Sequence, residues 1–456
     1  MQNNSQIKDF TKGSITKNLI IFALPLFFAN LLQVVYNMAD MAVVGHVLGK
    51  TGISAVSVGG DVTHLLTFIA MGLSNAGQVL IARYIGAKER EKIGKFVGTM
   101  SGFLVLSAIV LTILGLVFQT ELLTLMNTPK EAFQGAISYS TVSMTGLIFI
   151  YGYNTVSAIL RGMGDSKHPF IFIAIAAILN VFLDIIFVIK LNMGEMGAAL
   201  ATISSQAVSF ISCVAFLVKR RKEFELTMKL RDFIVWDKEM LSALLKLGIP
   251  MAIKTASIQV SKLFVNSYIN SYGVAVSAFS GIANKVASVA NLISMAMNTA
   301  GSTVVGQNLA AGEFSRVKKV LKSLAEITIT VSTFFSVLIV LFPEEIFSLF
   351  IKTTETDVLS IAKNYIPIAI LLFYGAAARA IMNALLNGSG NYKINFATAI
   401  FDGIIMRIGL ALLFGLVFNM QYYGFWLGDA LAGFTPFFIG LVFYLNGSWK
   451  KSAIKK

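Results

Sequence analysis

The sequence predicts an all-α, polytopic membrane protein with twelve transmembrane helices, arranged as two pseudo-symmetric six-helix bundles around a central cleft. Three observations lead to this fold class. Hydrophobic residues make up 56% of the 456 residues and charged residues only 13%, and the mean hydropathy is +0.75, far above that of soluble globular domains. Twelve apolar stretches are long enough to span a bilayer. The second half of the chain also resembles the first.

Each predicted helix corresponds to one apolar stretch of roughly 20 residues or more, the length that crosses the hydrocarbon core of a bilayer. The first follows a polar segment, MQNNSQIKDFTKGSITK, which lacks the small-residue cleavage site of a signal peptide. We therefore expect a permanent span from Leu19 onward. In chain order the predicted spans are 18–43, 53–82, 95–118, 134–160, 170–190, 196–218, 246–270, 276–307, 323–343, 360–386, 394–416 and 423–446.

Positive charge follows the topology that these spans imply. With the N-terminus in the cytoplasm and an even number of spans, most of the 37 Lys and Arg residues fall in cytoplasmic connections, including clusters at 83–95, 219–222 and 316–322. This distribution is the positive-inside rule, so the net charge of +14 indicates contact with anionic lipid and not with nucleic acid. We expect a multi-pass protein of the inner or plasma membrane, monomeric, with both termini cytoplasmic.

Cysteine and histidine usage argues against metal and disulfide chemistry. Cys213 is the single cysteine, so no intrachain disulfide and no thiolate cluster can form. The three histidines, at 46, 64 and 168, are isolated and lack metal-ligand spacing. A zinc site is therefore not expected.

Four segments of the first half align in order with segments of the second, at a nearly constant separation of about 225 residues. FALPLFFAN at 22–30 aligns with LGIPMAIKT at 247–255, which superposes Pro25 on Pro250. MGLSNAGQVLIARYIGAKEREKIGK at 71–95 aligns without a gap with MAMNTAGSTVVGQNLAAGEFSRVKK at 295–319. AILRGMGDSK at 158–167 matches ALLNGSGNYK at 384–393, and NMGEMGAAL at 192–200 matches NMQYYGFWL at 419–427.

The repeat predicts the domain organisation. Residues 1–218 form an N-terminal six-helix lobe, 219–245 a cytoplasmic loop between lobes, and 246–456 a C-terminal six-helix lobe. Because six is an even number, both halves enter the membrane in the same direction, which gives a parallel repeat about an axis along the membrane normal. Two such bundles facing a cleft are the geometry of alternating-access transporters.

Carboxylates at membrane depth usually have a function, since placing an Asp at the centre of a span costs roughly 2.5–3.5 kcal/mol on insertion scales. In the N-terminal half these are Asp40, Asp184 and, nearer a helix start, Asp61. Asn180 precedes Asp184 by one helical turn and so projects from the same face. An amide oxygen beside a carboxylate suits Na⁺ or a proton and does not suit a transition metal. The alternative is that both side chains only hydrogen-bond to neighbouring helices.

The chain resembles the multidrug and toxic compound extrusion (MATE) transporters over essentially its whole length. The resemblance rests on PLFFANLLQVVYNMADMAVVGHVLG near the start, GLSNAGQVLIARYIGAKE in the second span, LRGMGDSK after the fourth and MGAALAT in the sixth. It implies twelve helices in two lobes and cation-coupled export of amphipathic, mostly cationic, organic compounds. Membership of the DinF-like branch implies a coupling-ion cluster in the N-terminal lobe, here Asp40, Asn154, Asn180, Asp184 and Thr202.

The implied mechanism needs no cofactor other than the coupling ion, H⁺ or Na⁺. Two carboxylates in a partly dry cavity exchange protons readily, because desolvation and mutual repulsion both disfavour the charged form. If the ion is Na⁺, its ligands would come from Asp40, Asn180, Asp184 and Thr202. Pro25, Pro250 and the glycines near Asp40 are expected bending points. The expected substrate-cavity residues are Tyr36, Asn37, Lys254, Gln259, Lys262 and Arg379.

The C-terminal half departs from the NorM-like branch, which is expected to carry a carboxylate in the seventh span. Ile258 and Gln259 stand there instead, which argues against coupling through this lobe. The half also carries basic residues at 254, 262, 285, 379 and 407 alongside the acidic residues 402 and 429. These residues either pair with one another and reach the interface, or line the cavity and attract an anionic group.

Two other functions compete with multidrug export. A flippase or exporter of an anionic or lipid-linked precursor is favoured by the basic C-terminal half, whereas the absence of two further helices counts against it. A membrane-embedded enzyme would need Asp-rich, Mg²⁺-binding motifs, and none is present. The sequence also lacks a GxxxxGK[ST] loop, so ATP is not the expected energy source.

Overall fold

The computed structural model describes residues 6–227, 229–348 and 356–452, and the secondary structure in these ranges is helical. The helices up to the inter-lobe connection are α1 (Ile15–Gly86), α2 (Glu91–Val117), α3 (Gln119–Leu125), α4 (Lys130–Thr145), α5 (Leu147–Gly162), α6 (Lys167–Asp184), α7 (Gly194–Lys219) and α8 (Leu230–Ile234). A π-helical segment, Ile185–Lys190, follows α6 without a break.

The second half contains α9 (Lys238–Asn270), α10 (Val274–Ala310), α11 (Phe314–Leu341), α12 (Pro343–Ser348), α13 (Thr356–Gly388), α14 (Tyr392–Ile400), α15 (Met406–Leu412), α16 (Gln421–Ala432) and α17 (Thr435–Leu445). Two π-helical segments, Phe401–Ile405 and Leu413–Val417, flank α15. A short 3₁₀ turn, Ser448–Ser452, follows α17.

The twelve predicted spans coincide with these helices. Among the described residues, ten helices are long and apolar enough to cross a membrane, and the bent pair α4–α5 makes an eleventh. Helix α1 has 72 residues, about 108 Å at 1.5 Å per residue, which is far more than one bilayer crossing. Gly49 interrupts it with φ 63° and ψ −159°. Its two parts are therefore the first and second predicted spans, which completes the twelve.

The fourth predicted span, 134–160, is not one straight helix. The chain bends by 46° between α4 and α5, and Gly146 lies at the bend with φ −86° and ψ 0°. A Cβ at this position would collide with the side chain of Ile203 on α7. The bend and the missing side chain together let α7 approach the backbone closely.

Contacts within the chain define two compact units. Unit 1 comprises Met1–Asp9 and Leu24–Ala252, and unit 2 comprises Phe10–Ala23 and Ile253–Lys456. The core of unit 1 is built by α2, α5 and the second part of α1, with fully buried Phe96, Met100 and Leu160. The core of unit 2 is aromatic: Phe279 packs edge-on against Tyr365 and Trp426, with ring centroids 5.2 and 5.4 Å away.

The internal repeat extends to the backbone. Asn192 and Asn419, which the sequence repeat pairs, both adopt the left-handed region, with φ 52° and 53°. Gly49 and Gly273 are also left-handed, with φ 63° and 109°, and each separates two consecutive spans of its own unit. Non-glycine residues rarely adopt positive φ, and asparagine is among the few that do. The two halves therefore repeat their turns as well as their helices.

The connection between the two halves docks on α2. Gly94, Gly98 and Gly102 form a stripe on that helix, and a Cβ on each would collide with one or two of the residues 227, 232, 233 and 236. Trp236 packs edge-on against Phe103 at 5.7 Å. The small residues thus let the backbone of the connection, including α8, lie directly on α2.

Candidate functional site

The structure brings Asp40 and Asp184 together inside unit 1. Their carboxyl groups lie within hydrogen-bonding reach of each other. Asp40 is 8% exposed and Asp184 0%. Asp40 lies in the first part of α1, and Asp184 is the last residue of α6, directly before the π-helical segment Ile185–Lys190. Two acidic side chains from different helices are therefore adjacent and nearly shielded from solvent.

Packing around the first part of α1 holds the pair in place. The residues that follow Asp40 on this helix form an apolar cluster with α4, α7 and the π-helical segment. Its fully or largely buried members are Val44, Val56, Tyr139, Val188, Ala198 and Ala199. Since Val188 lies one turn beyond Asp184, the cluster fixes α1 and the end of α6 against each other. This packing places the two carboxylates next to each other.

Several acceptor oxygens of the site have no hydrogen-bond donor among the described residues. Among the described residues, Asp40 Oδ1, both carboxylate oxygens of Asp184 and Asn180 Oδ1 are buried without a hydrogen-bond partner. Asn180 Nδ2 donates to Thr202 Oγ1 over 3.4 Å, so its amide oxygen is free to face the acidic pair. Ionised carboxylates only accept hydrogen bonds, and a buried acceptor without a donor is costly. The arrangement is satisfied by a shared proton or by a bound cation.

The ligand types fit H⁺ or Na⁺ and not a transition metal. All candidate ligand atoms are oxygens of carboxylate, amide or hydroxyl groups, which hard cations prefer. In the part of the chain that the structure describes, no group of three or more His, Cys, Asp and Glu residues could hold a metal ion. Asp40, Asn180, Asp184 and Thr202 are thus the side chains available to Na⁺.

Three further polar residues border the site, although sequence reasoning did not select them. Gln206 hydrogen-bonds with the hydroxyl of Tyr36, which lies within electrostatic range of Asp40. Tyr139 lies within the same range of both Asp40 and Asp184 and hydrogen-bonds with Ser143. The available signal was spacing: Gln206 follows Thr202 by one helical turn, and Ser143 follows Tyr139 by one turn.

Not every selected residue joins the cluster. Asn154 Nδ2 donates to the carbonyl oxygen of Ile150 in its own helix, over 2.8 Å, and no contact in the described ranges links it to the two carboxylates. Asn37 and Gln259 are exposed. Pro25 and Pro250 both lie inside continuous helix, whereas the backbone of α1 leaves the helical region at Gly49.

Unit 2 contains a second ionisable cluster. Arg379 and Arg407 each approach Asp402 Oδ1 at 3.4 Å, and Arg407 also forms an ion pair with Asp429. Lys254 Nζ donates to Asn383 Oδ1 over 2.5 Å. The arginines therefore pair with the carboxylates, and the same arginines also border a cavity.

That cavity lies within unit 2 and has a volume of about 20 Å³, room for one or two water molecules. Its polar lining consists of Lys262, Asn291, Arg379, Arg407 and Asp429. By contrast, Lys285 is exposed and does not line it. The basic residues selected from the sequence therefore separate into a buried group and a peripheral one.

Comparisons with known proteins agree with this architecture. A family model described as MatE matches the chain twice, over residues 25–186 and 250–413. The chain is 28% identical over 450 residues to the probable multidrug resistance protein YoeA of Bacillus subtilis strain 168, covering 98% of this chain and 96% of the relative. It is 25% identical over 410 residues to the multidrug export protein MepA of Staphylococcus aureus strain MSSA476, covering 88% of each.

Solved structures match over the full length. An outward-facing multidrug resistance MATE family transporter of the MOP superfamily superposes with a TM-score of 0.88 at 24% identity, covering 98% of this chain and 99% of the other. A MATE protein in the bent conformation gives a TM-score of 0.88 at 23% identity, with 99% of each chain covered. At these identities the structures establish the fold.

Proposed function

Because the chain belongs to the MatE family, we propose that it is a secondary active exporter that couples inward flow of H⁺ or Na⁺ to efflux of amphipathic organic compounds. The family consists of multi-pass membrane transporters, so the chain is a transporter and not an enzyme. We place it in the cell membrane as a monomer with both termini in the cytoplasm. Its cargo is proposed to be mostly cationic and its mechanism alternating access.

One observation supports the proposed coupling site: Asp40 and Asp184 are adjacent, buried and short of donors. Two negative charges at such a distance in a low-dielectric site repel each other strongly. A proton or Na⁺ removes this repulsion, and so does a cationic cargo. Coupling ion and cargo would therefore compete for the same charge, which is the thermodynamic requirement for exchange.

The same pair offers a physical link from ion binding to helix movement. Asp184 ends α6 at a π-helical segment, and such segments are frequent at functional sites because their backbone hydrogen bonds are less regular. Gly49, with its left-handed φ of 63°, follows Asp40 in α1 and offers a flexible joint. A change of charge at the pair would alter the packing of α1 against both neighbours.

The test is dye efflux from vesicles that contain the purified protein. Ethidium movement is followed by fluorescence under an imposed pH gradient and, separately, under an imposed Na⁺ gradient. The wild type should respond to one of these gradients, which identifies the ion. Asp40→Asn and Asp184→Asn should each abolish the gradient-driven component, because an amide carries no charge for the ion to neutralise.

Asp61→Asn is the matched control. It is the same chemical change at an exposed position in the second part of α1, and it should transport like the wild type. Gradient-driven efflux that persists unchanged in Asp40→Asn and Asp184→Asn would refute the coupling role. If the wild type moves no cationic dye and exports an anionic compound instead, the proposed cargo class is wrong.

A further inference from the structure

We propose that the cavity in unit 2 is a binding site for an anionic group, a carboxylate or a phosphate, carried by a molecule that enters it. The inference rests on the proposed transport function only for its physiological meaning. The binding site itself follows from the charges, the hydrogen bonds and the cavity within unit 2.

Positive charge exceeds negative charge around this cavity. Lys254, Lys262, Arg379 and Arg407 contribute four cationic side chains, whereas Asp402 and Asp429 are the carboxylates within electrostatic range of the two lysines. Two positive charges thus remain formally uncompensated. Unpaired charge is expensive to hold in a protein interior within a membrane.

The hydrogen bonds and ion pairs show which cationic side chains lack a negatively charged partner. Asp402 Oδ1 is divided between Arg379 and Arg407, both at 3.4 Å, and Asp429 is paired with Arg407. Lys254 is bonded to the neutral amide of Asn383. Lys262 has neither a hydrogen bond nor an ion pair with any described residue, yet it lines the cavity. An anion in the cavity would find an ammonium group that no carboxylate holds.

The guanidinium groups also retain unused donors. The Nε atoms of Arg379 and Arg407 are buried without a partner in the described part of the chain, and both side chains line the cavity. Arg407 is 1% exposed, so its orientation is fixed by packing and by its two carboxylates. Asn291 adds an amide from α10. Fixed guanidinium and amide donors beside a free ammonium group are the usual set for carboxylate and phosphate recognition.

The volume of the cavity limits what it can hold. About 20 Å³ is room for one or two water molecules, so a compact charged group such as a carboxylate can enter and the ring that carries it stays outside. The cavity is too small for a whole multi-ring dye. We infer that it holds the acidic end of a larger zwitterionic or anionic molecule.

Binding is measured on the full-length protein in nanodiscs without any gradient. The probes are a rhodamine that carries a free benzoate and the methyl ester of the same dye, which lacks the negative charge. Fluorescence polarisation should show tighter binding of the free acid. Lys262→Gln should weaken binding of the acid by roughly tenfold or more, the usual worth of a charge-assisted hydrogen bond, and leave the ester unaffected.

Three further variants separate charge from structure. Lys262→Arg should keep the preference for the acid, because it keeps the charge. Arg379→Gln should reduce that preference, because it removes a lining guanidinium. Lys285→Gln, the matched control on an exposed lysine of the same unit, should bind both dyes like the wild type. Equal binding of acid and ester to the wild type, or an unchanged preference in both Lys262→Gln and Arg379→Gln, would overturn the proposal.

Competition identifies the source of the anionic group. Displacement of the acid dye by inorganic phosphate in neutral-lipid nanodiscs supports a soluble anion. Displacement only when the nanodiscs contain phosphatidylglycerol supports a lipid headgroup. Asp40→Asn should bind the acid dye in preference to the ester, as the wild type does. The binding result is therefore independent of whether this variant loses coupled efflux and of whether the coupling proposal holds.

Discussion

Removal of Arg407 should destabilise unit 2 more than removal of any other basic residue near the cavity. Its side chain is 1% exposed and pairs with both Asp402 and Asp429, which are 0% and 22% exposed. Breaking a buried ion pair by deleting one partner costs about 3–5 kcal/mol, because the remaining charge is left without compensation. The substitution Arg407→Met keeps an unbranched apolar stem and removes the guanidinium group with its charge and donors.

The contacts that remain after Arg407→Met determine where in that range the loss of stability should fall. After the change, Asp402 keeps Arg379 at 3.4 Å, and Asp429 is exposed enough to recruit water. The cost should therefore lie near the lower limit, about 3 kcal/mol. Arg379→Met is the matched control: that side chain is 17% exposed and makes one long contact, so its loss should cost about 1 kcal/mol.

Thermal unfolding in detergent, followed by tryptophan fluorescence, measures the difference. Trp426 packs against Phe279 and Tyr365 in the core of unit 2 and reports on it. Adding Asp429→Asn to Arg407→Met should recover part of the lost stability, because Asp429 is the carboxylate that loses its ion pair. If Arg407→Met is no less stable than Arg379→Met, or if the second change brings no recovery, the assignment of Arg407 as the central counter-charge is wrong.

Two predictions concern the connection that docks on α2. Gly98→Val should release the connection from α2, because even a Cβ at Gly98 would lie 2.5 Å from the docked segment. The expected results are a red shift of Trp236 fluorescence and faster proteolysis near residues 229–235. Unchanged cleavage would contradict the docking. The Lys95 ammonium donates to Asp237 over 2.7 Å and lowers the pKa of that carboxyl. Since a lowered pKa adds stability above the ordinary carboxyl range and loses it as the pH falls through the lowered value, the docking should be complete at neutral pH and weaken only in acid. Asp237→Asn should remove this dependence, and a midpoint near neutrality would contradict it.

Much of the fold could be predicted because the bilayer imposes one length on every crossing. The apolar stretches gave all twelve spans, since hydrocarbon thickness fixes roughly 20 residues per helix. The division of α1 into two spans, 18–43 and 53–82, was predicted for the same reason, whereas the left-handed conformation at Gly49 is a local backbone feature that hydropathy does not report. The bend at Gly146 depends on the approach of Ile203 from α7, a contact between helices that periodicity does not report.

The two carboxylates of the candidate site could be predicted from the sequence, whereas the polar residues around them could not. Asp40 and Asp184 stood out because ionisable groups at membrane depth are costly, and they are adjacent in the structure. Tyr139 and Gln206 each lie one helical turn from another polar residue, but that spacing alone does not separate them from structural hydroxyls and amides. The irregular turn after Asp184 is equally invisible, because π-helical segments have no simple residue pattern.

The two halves kept a common backbone while their chemistry diverged. Left-handed turns recur at Asn192 and Asn419 with almost equal φ, so the constraint on the chain path is repeated. The local separation of the aligned segments is 224–225 residues around Asp40 and 226–227 around Asp184. The counterparts of the two carboxylates are then apolar: Asp40 corresponds to the pair 264–265, Phe and Val, and Asp184 to the pair 410–411, Leu and Ala. The acidic pair therefore belongs to unit 1 alone, and the excess of basic groups to unit 2 alone. Because a duplicated backbone needs only its turns and packing to be preserved, each unit was free to acquire charge of opposite sign. Substitutions at Asp40 should accordingly alter ion coupling, and substitutions at Lys262 should alter recognition of anions, with no requirement that one change the other.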